Sequence, residues 1–140
     1  MERKMTIAQM EAFLSSDFPQ IGDQFTIIES HEDELTVRLN VNDSHLRPGG
    51  TVSGPSMFAL ADVGMYLAVL ERIGPVALAV TTNCSIDFMR KPEAGRDIIA
   101  KARILKLGRV LAVGDVLMFS EGSDKAVARA SLTYSIPPAA

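Results

Sequence analysis

The hydrophobic patterning predicts an α+β fold: one antiparallel sheet wrapped around a single long helix, with a short helix ahead of it. Three observations carry that expectation. The segment Pro55–Arg72 is rich in Ala, Leu and Met, lacks β-type alternation and is apolar on nearly every face, the pattern of a buried helix. Strand-like segments fall as two before this helix and four after it, without alternating helices, which favours antiparallel pairing over a βαβ repeat. Finally, 140 residues at 47% hydrophobic and 22% charged make one domain with enough apolar surface to fill one core.

Taken in order, Thr6-Ile-Ala-Gln9 has the form of a capping box, and Ile7, Met10, Phe13 and Leu14 follow at helical spacing. A helix is expected over about Thr6–Leu14, broken by Pro19 and Gly22. Phe25–Ile28 and Leu35–Val41 are β-branched and alternate roughly, and the polar His31–Glu34 between them reads as a hairpin turn. Asn42–Gly54 holds Pro48, Gly49, Gly50 and Gly54 and is expected to be irregular. Gly74-Pro75 stops the long helix. Four strands follow at Ala77–Phe88, Asp97–Leu107, Arg109–Ser120 and Ala126–Ile136, separated by turn signals at Pro92–Gly95, Gly108 and Glu121–Asp124. The expected organisation is a single domain over 1–140, with an N-terminal helix and linker at 1–22 and the core at 24–136.

The net charge of −3 gives no broad positive field for nucleic acid or anionic lipid. A lone cysteine, Cys84, makes no internal disulfide and builds no zinc site by itself. The longest apolar stretch, Met57–Leu70, is interrupted by Asp62 and Gly64 and falls short of the roughly 20 residues a bilayer span needs. No hydrophobic run follows the charged first residues, so a cytoplasmic chain is expected.

Chemistry is expected where the Gly- and Pro-containing loop enters the long helix. Free backbone N–H groups and the positive end of the helix dipole meet near Gly54, which has no side chain to keep a ligand away. Such an end polarises a carbonyl oxygen or holds a phosphate; equally, Ser53 caps the helix and the glycines only shape the turn. Asp62 is the lone ionisable residue between Met57 and Leu70, about 12 Å along the axis from Gly54. A buried carboxylate needs a partner, so Asp62 is either bonded to backbone or to an arginine such as Arg90, or it is a general base or nucleophile. His31 is expected to be solvated and His45 to pack its loop. Cys84 is expected in a strand core and Asp87 at the surface. Met57, Phe58, Tyr66, Phe88 and Met89 are either core or the lining of an apolar pocket.

Pro48-Gly-Gly-Thr-Val-Ser-Gly-Pro55, then Leu60-Ala-Asp62, then Ala79-Val-Thr-Thr-Asn-Cys-Ser-Ile-Asp-Phe-Met-Arg-Lys-Pro92 together resemble the hotdog-fold acyl-CoA thioesterases of the phenylacetate-degradation type. The likeness runs over about residues 24–136 and includes a Gly108-Arg109 turn. It implies a hotdog fold and hydrolysis of an acyl-CoA to free acid and CoA. By that resemblance Gly54 is the glycine whose N–H faces the thioester carbonyl, Asp62 the catalytic acid, and Thr81 the Ser/Thr that helps hold the attacking water. Asn83 lies where many members carry a polar or acidic residue. Ser53 replaces the usual histidine, Pro55 the second glycine, and Arg47 an Asn or Gln that orients substrate. Arg90, Lys91 and Arg109, with Lys106, would meet the nucleotide phosphates. No metal or cofactor is expected, CoA being part of the substrate. A hotdog-fold enoyl-CoA hydratase or dehydratase and a non-catalytic acyl-CoA-binding domain are the alternatives. A helix apolar on every face also predicts at least a homodimer, since one small sheet covers only part of it. In the resembling family two sheets pair edge to edge, with the glycine of one chain facing the acid of the other, and dimers of dimers occur.

Overall fold

The computed structural model describes residues 2–138; the outermost residues of the expected domain lie outside them. Helix α1 spans Ile7–Asp17. Thr6 Oγ1 accepts the Gln9 N–H at 3.1 Å and Gln9 Oε1 accepts the Thr6 N–H at 2.9 Å, so the capping box forms as expected. The helix continues past Leu14 because the Phe18 N–H still reaches the Leu14 carbonyl, at 2.9 Å, before Pro19 ends it. Strands β1 (Phe25–Ser30) and β2 (Glu34–Leu39) form the expected hairpin. β2 stops short of Val41, whose N–H leaves the ladder for Asp97 Oδ1.

Within the stretch expected to be irregular, Asp43–His45 makes a short 3-10 turn capped by Asn42. Helix α2 runs Gly54–Ile73, with Ser53 Oγ accepting the Ser56 N–H. Gly74, at φ 97°, ends it in a conformation that side chains resist. Residues 75–79 remain a turn, so β3 begins at Val80 rather than Ala77 and ends at Phe88. β4 (Ile98–Leu107), β5 (Leu111–Ser120) and β6 (Ala126–Ser135) complete one antiparallel sheet of order β1-β2-β4-β5-β6-β3. β3 therefore closes an edge beside β6 instead of pairing with its neighbour in sequence, β4.

The sheet curls around α2. Leu60, Leu67 and Leu70 are fully buried on the helix, facing inward residues such as Val37, Ala100 and Val116 on the strands. Small residues bring helix and sheet close: a side chain on Gly64 would sit 3.9 Å from both Ala100 and Ala102. At Gly114 a Cβ would fall 2.3 Å from Met65 Cε and 2.5 Å from the Arg103 carbonyl oxygen, so Met65 occupies the room that glycine leaves.

The expectation that α2 is buried all round is corrected in its first half. Pro55, Phe58 and Ala59 are exposed, and Asp62 and Val63 are half-buried, forming one stripe at helical spacing beside the free edge of β3. No helix among the described residues is long and apolar enough to cross a membrane.

Candidate active site

Asp62 is built into place by two elements far from it in sequence. Thr81 Oγ1, on β3, donates to Asp62 Oδ1 at 2.5 Å. The Tyr134 hydroxyl, on β6, lies 2.6 Å from the same oxygen and 2.8 Å from the Asp62 carbonyl. Among the described residues no hydrogen bond reaches Oδ2. One carboxylate oxygen is thus pinned by two hydroxyls, on a residue that lines a cleft. The partner is not Arg90, whose Nε donates to the Ala126 carbonyl instead. Burial, then the charge of Asp62, push the Tyr134 hydroxyl well above the usual tyrosine range, so it stays protonated as a donor. Burial, with a smaller contribution from Asp62, also raises the Cys84 thiol, which therefore stays an inert neighbour.

The cleft into which Asp62 opens has a volume of about 580 Å³ and is otherwise apolar. Ala59, Val63 and Tyr66 come from α2, Ala77, Ala79 and Val80 from the segment leading into β3, and Phe18 and Ile21 from beyond α1.

Gly54 lines a second cleft, of about 560 Å³ and different character. Arg47, Arg90 and Lys91 line it, with no acid among its walls, alongside Met57, Phe88 and Met89. The Phe88 ring lies 3.3 Å from where a Cβ on Gly54 would sit, so a side chain at 54 would press on it. Ser53 caps the helix here, as its spacing predicts. Thr51 is 5% exposed and lines the same cleft, and among the described residues its hydroxyl has no hydrogen-bond partner.

The site residues expected from sequence are therefore divided. Asp62 and Thr81 meet; Gly54, Ser53, Arg47, Arg90 and Lys91 gather at the helix start. Arg109 lines a separate cleft with Ile73 and Pro75, near the other end of α2. A bulge between Thr81 and Asn83 shifts the alternation of β3, so that Asn83 is exposed and shares the outer face of the sheet with Ser85 and Asp87. Asp87 pairs with Arg129 there at 2.9 Å. His45 is buried, its Nδ1 accepting the Asn42 N–H and its Nε2 2.9 Å from Gln24 Oε1, which is the expected loop-packing role. His31 is exposed beside Glu29.

Tyr134 and Thr51 are absent from the sequence reading. Tyr134 continues the inward series Ala128, Ala130, Leu132 on β6. A buried tyrosine hydroxyl requires a partner, and that was the available signal. Nothing local marks Thr51.

The sequence model of the thioesterase superfamily matches residues 49–127, more than half of the chain. A provisionally named thioesterase from a Silicibacter species, known as a crystal structure, is 60% identical, with a TM-score of 0.92 over 99% of this chain and 96% of that one. The phenylacetic acid degradation protein of Thermus thermophilus, in a variant form, is 31% identical, with a TM-score of 0.72 over 85% of this chain and 99% of that one. Mouse acyl-coenzyme A thioesterase 13 is 25% identical over 114 residues, covering 80% of this chain and 79% of its own length. With its curled sheet around one helix and an acid on that helix, the chain belongs to the thioesterase superfamily, as a thioester hydrolase on the hotdog fold.

Proposed function

We propose that this chain hydrolyses an acyl-CoA thioester to the free acid and CoA, in a site shared between two copies of the chain. The observation that carries the reading is the Asp62 carboxylate in the wall of a largely apolar cleft, with Oδ1 held by Thr81 and Tyr134 and, among the described residues, no hydrogen bond to Oδ2. That oxygen takes a proton from an attacking water, or itself attacks the carbonyl carbon to form a mixed anhydride that water then cleaves. In both routes the thioester carbon becomes tetrahedral, its oxygen gains negative charge, and the C–S bond breaks as the CoA thiolate leaves and takes up a proton. The Gly54 N–H at the positive end of α2 stabilises that oxyanion.

Gly54 and Asp62 of one chain stand about 12 Å apart along a helix, too far to act on one carbonyl. A second copy supplies the missing half. The free edge of β3 and the exposed Pro55–Phe58–Ala59 stripe lie side by side, and joining two such edges brings each Asp62 toward the other chain's helix start. The homodimer, alone or doubled into a tetramer, follows from this reading. Arg47, Arg90 and Lys91 then receive the phosphates of CoA, and the reaction uses no further cofactor. The mouse relative's name, acyl-coenzyme A thioesterase, supports the substrate class. A hydratase would want a histidine beside the acid, and both ring nitrogens of His45 are already engaged elsewhere.

Thiol release from acyl-CoA, measured on mixed subunits, tests the whole proposal. Asp62→Asn and Gly54→Val are each expected to be inactive, whereas co-refolding the two regains activity through one intact site per mixed dimer. Mixtures as dead as their parents would place both groups in one chain's own site and overturn the shared arrangement.

A further inference from the structure

The Asp62 cleft holds a row of three aromatic rings leading away from the acid. Tyr134 bonds Asp62; its ring centroid is 6.1 Å from that of Tyr66; and Tyr66 is 6.2 Å from Phe18, which meets it edge-on at 86°. Every polar group along this row is already used. The Tyr66 hydroxyl donates to the Ala77 carbonyl at 3.1 Å, while Thr81 and Tyr134 serve Asp62. Among the described residues no cation lines the cleft, and the charge of Asp17 adds to burial in raising the Tyr66 hydroxyl, so a second carboxylate stands near its outer end. A group lying along this row finds apolar surface only, and an anion there meets two like charges.

Phe18 is the outermost ring and belongs to the N-terminal element, outside residues 49–127 that the superfamily model matches. Its position is fixed by backbone: α1 is anchored through buried Met10 and Leu14, and the Phe18 N–H closes the helix on the Leu14 carbonyl. Its side chain is not needed for that anchoring and is 40% exposed. We propose that Phe18 is a specificity-determining residue, the end wall that limits the length of an uncharged acyl chain extending from Asp62 past Tyr134 and Tyr66. This rests on the thioesterase reading above and adds to it a direction: acyl group in the Asp62 cleft, CoA toward the cationic cleft.

A series of straight saturated acyl-CoAs of increasing length, assayed by thiol release, is the test. In the native protein kcat/KM is expected to rise about fourfold per added methylene while the chain stays within the cleft, then to level off or fall. Phe18→Ala moves that limit to longer chains and Phe18→Trp to shorter ones, read as the chain length at which kcat/KM peaks. Cleavage with a length profile indifferent to both substitutions overturns the wall while leaving the thioesterase reading intact. Absence of cleavage at every length overturns both. A readout independent of variant folding is available because the chain has two tyrosines, both on this cleft, and no tryptophan. A non-hydrolysable thioether analogue of a long acyl-CoA should change tyrosine emission on binding to the native protein, and unchanged emission at saturation overturns the placement.

Discussion

The two clefts along α2 differ in what they ask of the fold. The Asp62 cleft is made by tertiary contacts, with one acid, three hydroxyls and an apolar wall drawn from the segment after α1, from α2, from β3 with the turn before it, and from β6. The Gly54 cleft joins the loop before α2 and the helix start to the end of β3 and the segment after it, with three cations around it and, among the described residues, no partner for the Thr51 hydroxyl. On the proposed reading, the first holds the charge that does the chemistry and the second receives charge from the ligand. The contrast teaches that the reacting group and the binding groups have separate structural supports, so damage to each should have its own kinetic signature.

The largest expected effect falls on the first cleft. Asp62→Asn keeps the shape but accepts no proton at neutral pH, and kcat should drop on the order of a hundredfold or more while acyl-CoA still binds. Because Asp62 is only half-buried and an amide oxygen can still accept from Thr81 and Tyr134, the melting temperature should stay about level. Next comes the second cleft. Reversing Arg47, Arg90 and Lys91 together should raise KM roughly tenfold with kcat little changed, and added salt should reproduce part of that rise in the native protein. Reversal at Arg109, which lines another cleft, should move KM less than reversal at any of those three. Steady-state kinetics with both variants would break the comparison if kcat, rather than KM, followed the cations.

A smaller effect is read in pH. The Tyr134 hydroxyl titrates higher in the folded chain than in the unfolded one. The stability it contributes is therefore fully present below the ordinary tyrosine value of about 10 and is lost as pH rises through the folded value. Urea unfolding at pH above about 10 should show stability falling as pH rises, and Tyr134→Phe should flatten the slope.

The smallest effects separate two residues of the helix start. Ser53→Ala removes a cap and should cost about 1 kcal/mol with little change in rate. Thr51→Val removes a buried hydroxyl with no partner among the described residues and should gain up to about 1 kcal/mol. Thermal unfolding of the pair checks both signs; a destabilised Thr51→Val would mean the hydroxyl has a partner in the folded chain.

The elements and their order are legible in the chain, since helical and strand periods, capping residues and Gly-Pro stops act within a few residues of themselves. Thr6, Ser53 and Gly74 mark helix ends in the structure where local chemistry requires them. The sequence also pointed to Gly54 and Asp62, one as a glycine opening a helix and the other as the acid within the apolar run Met57–Leu70. Tertiary structure decided what those residues meet. Tyr134 reaches Asp62 across 72 positions of chain because β3 crosses over to pair with β6, and no local pattern records that pairing. The bulge at β3 turned Asn83 outward, the curl of the sheet left Arg109 apart from the other cations, and the end of α1 set Phe18 against Tyr66. Periodicity is a property of neighbours in sequence, whereas a site is a property of neighbours in space, and packing alone converts one into the other.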